Sequence, residues 1–183
     1  MRVSTKRCCR VMSYRSHVSH KPVEILLVED NPGDVRLMRE ALKEGGFVRR
    51  LNVVKDGEQA LAFLRRQSPY EDAAQPALVL LDLNLPRKNG REVLAEIKSE
   101  RSLRHIPVFV VSTSTREEDI AAAYALHANC YIPKPIDLKG LIEMGRLIEA
   151  FWLRMVILPS AATALPLAKI IPRTRPPASR KIS

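Results

Sequence analysis

Apolar residues gather in five short runs along the middle of the chain, and between those runs they recur at helical spacing. The first run, VEILLV over Val23–Val28, is β-branched and Leu-rich, and acids, Asn31, Pro32 and Gly33 follow at once. That pattern predicts a buried strand ending in a polar loop. Val35, Leu37, Met38, Ala41 and Leu42 then repeat with the period of a helix, with Pro32 suited to its first turn and Gly45-Gly46 as its stop. The alternation continues with a strand at 51–54 and a helix at 57–67, whose Ala60, Leu61 and Leu64 share a face. After a surface loop at 68–76 comes a fully apolar strand at 77–81, ending on Asp82. A helix at 89–100, a strand at 108–111, an Ala-rich helix at 116–127 and a brief strand at 130–132 complete the series. Asp137 is placed to cap a last helix, running through Ile142, Leu147, Ile148 and Phe151 toward Leu158, where Pro159 ends it.

Five strands alternating with five helices predict an α/β fold, a doubly wound five-stranded parallel sheet with helices on both faces. In such sheets the ligand crevice lies beyond the carboxyl ends of the strands. The residues there are Glu29-Asp30 after the first strand, Asp82 after the third, Ser112-Thr113 after the fourth and Lys134-Pro135 after the fifth. Three carboxylates on one rim repel one another, and a hard divalent cation with oxygen ligands, Mg2+ above all, relieves that repulsion. A lysine and a hydroxyl beside them suit an incoming phosphoryl group, with a carboxylate as its nucleophile.

Charge changes the picture of the ends rather than of the middle. The 183 residues carry a formal charge of +10 with a pI near 9.9, which by itself suggests nucleic acid. Residues 1–21 hold six cations and residues 159–183 hold five, with no acid in either stretch, leaving 19 cations and 20 anions over 22–158. The expected organisation is therefore a basic disordered arm (1–21), one near-neutral domain (22–158) and a basic, Pro-rich disordered tail (159–183). The arm also fits a start codon upstream of a true one at Met12. With Tyr14 as the one aromatic among the cations of both tails, no nucleic-acid partner is expected. No apolar run approaches the roughly 18 residues of a membrane span, so no membrane partner is expected either. Three cysteines without a CxxC or zinc spacing suit a reducing cytoplasm.

At these strand ends the chain resembles the receiver domains of two-component response regulators. The resemblance rests on Glu29-Asp30, the run LLDLNLP from Leu80 to Pro86 with Gly90 beyond it, Ser112 closing the fourth strand and the Lys134-Pro135 pair. It implies a flavodoxin-like (βα)5 sheet with strand order 2-1-3-4-5. It also implies that Asp82 is the aspartate phosphorylated by a partner histidine kinase. Glu29, Asp30, Asp82 and the backbone carbonyl of Asn84 would hold Mg2+, and Ser112 and Lys134 would contact the phosphoryl group. Tyr131 would be the aromatic switch paired with Ser112, although a plain core aromatic is the competing reading. The Lys134-Pro135 bond resembles the family's cis peptide.

Within that family the chain is most similar to the single-domain regulators that partner bacterial and cyanobacterial phytochrome kinases, through EDNPGDVRL, LLDLNLPRKNGREVL, STS, NCYIPKP and a terminal FWL. That likeness implies a cytoplasmic homodimer with Phe151 and Trp152 as interface candidates, against the alternative that both are buried within the monomer. Taken singly, each motif also has a structural reading, with Ser112, Thr113 and Ser114 as a capping cluster for the following helix. An aspartate-nucleophile phosphatase would want an acid where Asn84 stands, and a flavin carrier would not place two acids after its first strand. The chain is thus expected to be a phosphoacceptor signalling domain rather than an enzyme. The alternative is a degenerate receiver that binds proteins without being phosphorylated.

Overall fold

The computed structural model describes residues 23–43, 49–153 and 156. Strands β1 (Val23–Val28), β2 (Arg49–Val54), β3 (Leu78–Leu81), β4 (Val108–Ser112) and β5 (Cys130–Pro133) alternate with helices α1 (Pro32–Lys43), α2 (Gly57–Leu64), α3 (Gly90–Ser99), α4 (Glu117–Ala125) and α5 (Leu138–Ile148). The strands form one sheet in the order β2-β1-β3-β4-β5, every pair parallel. The chain steps from β1 outward to β2 and then returns to β3 on β1's other side, so the order reverses between β1 and β3. A crevice opens at such a reversal because the two following loops leave toward opposite faces.

Alternation along the strands divides the core in two. Leu26, Val28, Val79, Leu81, Val108 and Val110 face one layer with residues of α2 and α3. Ile25, Leu27, Leu78, Leu80, Phe109 and Val111 face the other with residues of α1 and α5. Strands buried on both faces need this continuous apolar composition. Helices α1 and α5 cross so closely that a Cβ on Gly145 would stand 2.8 Å from both the Cβ and the carbonyl oxygen of Ala41. Only glycine permits that approach.

Several boundaries differ from the sequence expectation. Strand β2 starts two residues early, at Arg49, because the ladder with β1 runs on to pair Arg49 with Val23. Helix α2 stops at Leu64 rather than 67, and Arg66 beyond it takes a left-handed φ of 53°. Helix α3 starts one residue late, because Asn89 is its N-cap in a reciprocal capping box with Glu92. Helix α4 is shorter at both ends, with His127 at φ 64° past its close. Asp137 caps α5 as expected, its carboxylate accepting from the Gly140 N–H at 2.6 Å. The last helix, however, is α-helical only to Ile148 and continues as a π-helical turn over Glu149–Leu153. Apart from Val156, the expected stretch toward Leu158 lies outside the described residues, as do the two basic tails. Among the described residues no helix is long and apolar enough to cross a membrane.

Candidate functional site

Backbone hydrogen bonds extend the sheet one step past its strands at three of the site residues. The Glu29 N–H donates to the Val54 carbonyl at 3.0 Å, that of Asp82 to Val28 at 3.1 Å, and that of Lys134 to Ser112 at 2.7 Å. The sheet's rigidity thereby extends to the side chains at the rim, which is how a site gains fixed geometry. Glu29, Asp82 and Ser112 are buried.

Lys134 is the hub. Its Nζ donates to Glu29 Oε2 at 2.7 Å, Asp34 Oδ2 at 2.7 Å and Asp82 Oδ2 at 2.8 Å, and its side chain is only 7% exposed. An ammonium has three N–H donors, and here each meets a carboxylate. Burial by itself would lower the Lys134 pKa, but the bonds to Asp34, Asp82 and Glu29 outweigh it and hold the ammonium above the usual lysine value. Burial raises the carboxyl of Glu29, and the nearby Asp82 adds to that rise against the bond from Lys134.

Both oxygens of Asp82 are engaged, since the Asn84 backbone N–H donates to Oδ1 at 2.9 Å. Gly90 packs so tightly behind this segment that a Cβ there would lie 2.2 Å from the Asp82 carbonyl oxygen and 2.6 Å from Leu83 Cα. The glycine eight residues past Asp82 is therefore what lets α3 start against the loop that carries Asp82. Asp30 is exposed and lies outside the Lys134 bonds. Among the described residues no three His, Cys, Asp or Glu side chains form a ready-made metal cluster. The donor chemistry nevertheless fits a hard divalent ion: Glu29, Asp34 and Asp82 set three carboxylates against one ammonium, Asp30 follows Glu29 in the chain, and carboxylate oxygens are the donors such an ion takes.

Ser112 Oγ accepts from the Ser114 N–H at 3.3 Å. Tyr131 on β5 is buried in the core layer that also holds Ala123 of α4, and its hydroxyl donates to the Ser114 carbonyl at 2.8 Å. Ring burial and a bond to the β4–α4 loop thus coexist, and the core and loop-sensing readings of this tyrosine are not exclusive. The Lys134-Pro135 bond is a correction to the resemblance: it is trans, and among the described residues the cis bond is Ser68-Pro69. Trans is the lower-energy form of an X-Pro bond, and Lys134 reaches all three acids from it.

Phe151 and Trp152 meet edge-on at 5.8 Å between ring centroids but differ in their surroundings. The Trp152 ring packs edge-on against Phe109 at 4.6 Å between centroids, while Phe151 remains 53% exposed. Asp34 escaped sequence reasoning because an acid in the first turn of a helix already has a sufficient explanation in the helix dipole. Asp119, and Arg91 and Arg116 that both donate to it near the Ser112 loop, escaped it as ordinary surface charges.

The family model for the response regulator receiver domain matches residues 25–146. Response regulator Rcp1 of Synechocystis sp. is 51% identical over 146 residues, covering 80% of this chain and 99% of that protein. The crystal structure of the phosphorylated cyanobacterial phytochrome response regulator RcpA superposes with a TM-score of 0.74 at 50% identity, covering 76% of this chain and all of that one. The crystal structure of the Mn(2+)-bound form of Rcp1 gives 0.73 at 51% identity with the same coverage.

Proposed function

The chain belongs to the response regulator receiver domain family, and from that premise we propose that it is a response regulator phosphorylated on Asp82 by a histidine kinase of the phytochrome type. The observation that carries this reading is the buried Asp82 carboxylate held at 2.8 Å from Lys134 Nζ, with Glu29 on the same ammonium. A carboxylate oxygen of Asp82 attacks the phosphorus of the kinase's phosphohistidine. The P–O bond forms as the P–N bond breaks, and the imidazole leaves with its electron pair. Lys134 exchanges a carboxylate for a phosphoryl oxygen, and Ser112 donates its hydroxyl to another. Glu29, Asp30, Asp82 and the Asn84 carbonyl would hold Mg2+, which supplies neutralisation of the charge on the transferring group. The Mn2+ bound by the Rcp1 relative supports a divalent ion here. Rcp1 and RcpA likewise support the phytochrome-type partner.

Phosphorylation then works as a switch, by adding contacts that favour one packing of the Ser112 loop and Tyr131 over its alternatives. The proposed homodimer contact uses Phe151, with Leu147 exposed one turn earlier, rather than Trp152, which is committed to Phe109.

The test is intact-mass spectrometry after incubation with a small acyl phosphate, with and without Mg2+, on the wild type and Asp82→Asn. One Mg2+-dependent phosphoryl adduct absent from the variant is expected. No adduct on the wild type under conditions that preserve acyl phosphates would replace this reading with a phosphorylation-independent binding module.

A further inference from the structure

Asp119, in the first turn of α4, is buried although it is a carboxylate. It accepts from Ser114 Oγ, from Arg116 Nε at 3.1 Å, from an Arg116 terminal nitrogen at 2.9 and 3.2 Å, and from Arg91. A buried charge persists only when its lone pairs are filled in this way. The Ser114 bond, followed by the Arg116 and Arg91 guanidiniums, holds its pKa below the ordinary aspartate range.

The partners span the mouth of the site. Arg91 directly follows Gly90, the residue packed on the Asp82 carbonyl, so it belongs to the phosphoacceptor side. Ser114 belongs to the other side, two residues past Ser112. It is held at every polar atom: its N–H donates to Ser112 Oγ, its carbonyl accepts from Tyr131, and its hydroxyl donates to Asp119 and accepts from the Arg116 N–H at 3.4 Å. Between the two sides lies a cleft of about 310 Å³ bordered by Asn84, Asn89, Arg91, Ser112, Ser114 and Asp119.

Resting on the phosphoacceptor reading above, we propose that Asp119 is a positioning residue for phosphoryl transfer, clamping Ser114 to Arg91 so that the Ser112 hydroxyl stays at the Asp82 rim before any phosphoryl group arrives. The chain of contacts is short and continuous: α3 to Asp119, Asp119 to Ser114, Ser114 to Ser112 and to Tyr131. Accepting from Ser114 does not use the Ser112 hydrogen, so the hydroxyl keeps its donor for the incoming oxygen. In this reading the loop is preorganised by a fixed ion-pair network and need not be drawn inward by phosphorylation alone.

The experiment compares Asp119→Asn, Arg91→Met, Ser114→Ala and the Asp119→Asn/Ser114→Ala double variant with wild type, in the full chain. Two readouts are taken: the rate of phosphoryl acceptance from a small acyl phosphate with Mg2+, and backbone amide hydrogen exchange at residues 112–116. Asp119→Asn is expected to slow acceptance by roughly three- to thirtyfold, the usual reach of a residue acting through its neighbours. It should also speed exchange at 112–116 by roughly tenfold, with the central strands unchanged. Arg91→Met should move both readouts in the same direction by less. The double variant should be no slower than Asp119→Asn alone, because the two changes break successive links of one path from Arg91 through residue 119 to Ser114. Wild-type acceptance and exchange in both Asp119→Asn and Arg91→Met would overturn the proposal, as would slowed acceptance with unchanged exchange, or an additive double variant. If the wild type itself takes no phosphoryl group, the phosphoacceptor reading fails and with it the role in transfer, while the exchange data still decide whether the clamp exists.

Discussion

Asp34 on α1 and Lys134 after β5, one hundred residues apart in sequence, meet at 2.7 Å. The third N–H of the site's ammonium is thereby given to a helix rather than to a strand end, and α1 becomes part of the rim. Removing the ammonium would leave Glu29 and Asp82 buried and unpaired. Lys134→Met is therefore expected to lower the free energy of unfolding by about 3 kcal/mol at neutral pH without divalent ions. Millimolar Mg2+ should restore more stability to the variant than it adds to wild type. Urea unfolding with and without the ion measures both, and equal Mg2+ effects would contradict a shared carboxylate site.

Gly90→Ala places a methyl against backbone atoms of Asp82 and Leu83, which cannot rotate away. A loss of roughly 1–3 kcal/mol follows from such overpacking. Phosphoryl acceptance should fall as well, since the displaced segment carries Asp82. Thermal melting and the mass assay check the pair, and a variant with wild-type stability would show that α3 can shift without strain.

The two terminal aromatics should behave differently. Trp152→Ala removes the edge contact to Phe109, and for a half-buried indole a loss of about 2 kcal/mol is expected. Phe151→Ala, at an exposed position, should change monomer stability by less than about 0.5 kcal/mol. Its effect should appear in sedimentation instead, as weaker self-association. Equal destabilisation by the two substitutions would place Phe151 in the monomer core.

Lys98 supplies a pH dependence remote from the site. Its Nζ donates to the Ile106 carbonyl at 2.7 Å and to Asn129 Oδ1 at 2.9 Å, and burial lowers its pKa from 10.5 to about 8. Between those values the unfolded chain binds more protons than the native one, so the contribution of Lys98 to stability rises with pH across that window. Relative to Lys98→Met, wild type should thus gain stability between pH 8 and 10.5 and show a constant difference below it. Urea midpoints at several pH values test this, and a difference that shrinks over the window would reverse the sign.

Much of the fold could be read along the chain because its three central strands are buried on both faces. VEILLV, ALVLL and VFVV have no polar face to confuse with a helix, and each ends abruptly in the residue that later stands at the rim. The same logic exposed Glu29, Asp82, Ser112 and Lys134, since a parallel sheet brings its strand ends together whatever the loops do. Asp30 shows where that logic stops: it shares the strand end with Glu29 but is exposed and outside the Lys134 bonds. Two residues adjacent on an extended chain point to opposite sides, and sequence position alone does not say which one turns inward.

The residues that sequence reading did not reach come from helices. Asp34, Arg91, Arg116 and Asp119 look like any charges in or near a first helical turn, and each had an adequate local explanation. The chain by itself determined the alternation of elements, the parallel sheet and the row of acids, hydroxyl and amine at its carboxyl edge, because these follow from periodicity and from hydrogen bonding along the backbone. Only the tertiary structure decided that Lys134 takes a third acid from α1, that Trp152 turns to Phe109 while Phe151 faces solvent, and that Asp119 is buried between two arginines and a serine. Those outcomes depend on how closely helices sit on the sheet and on which long side chains can then reach one another, distances that no local pattern encodes.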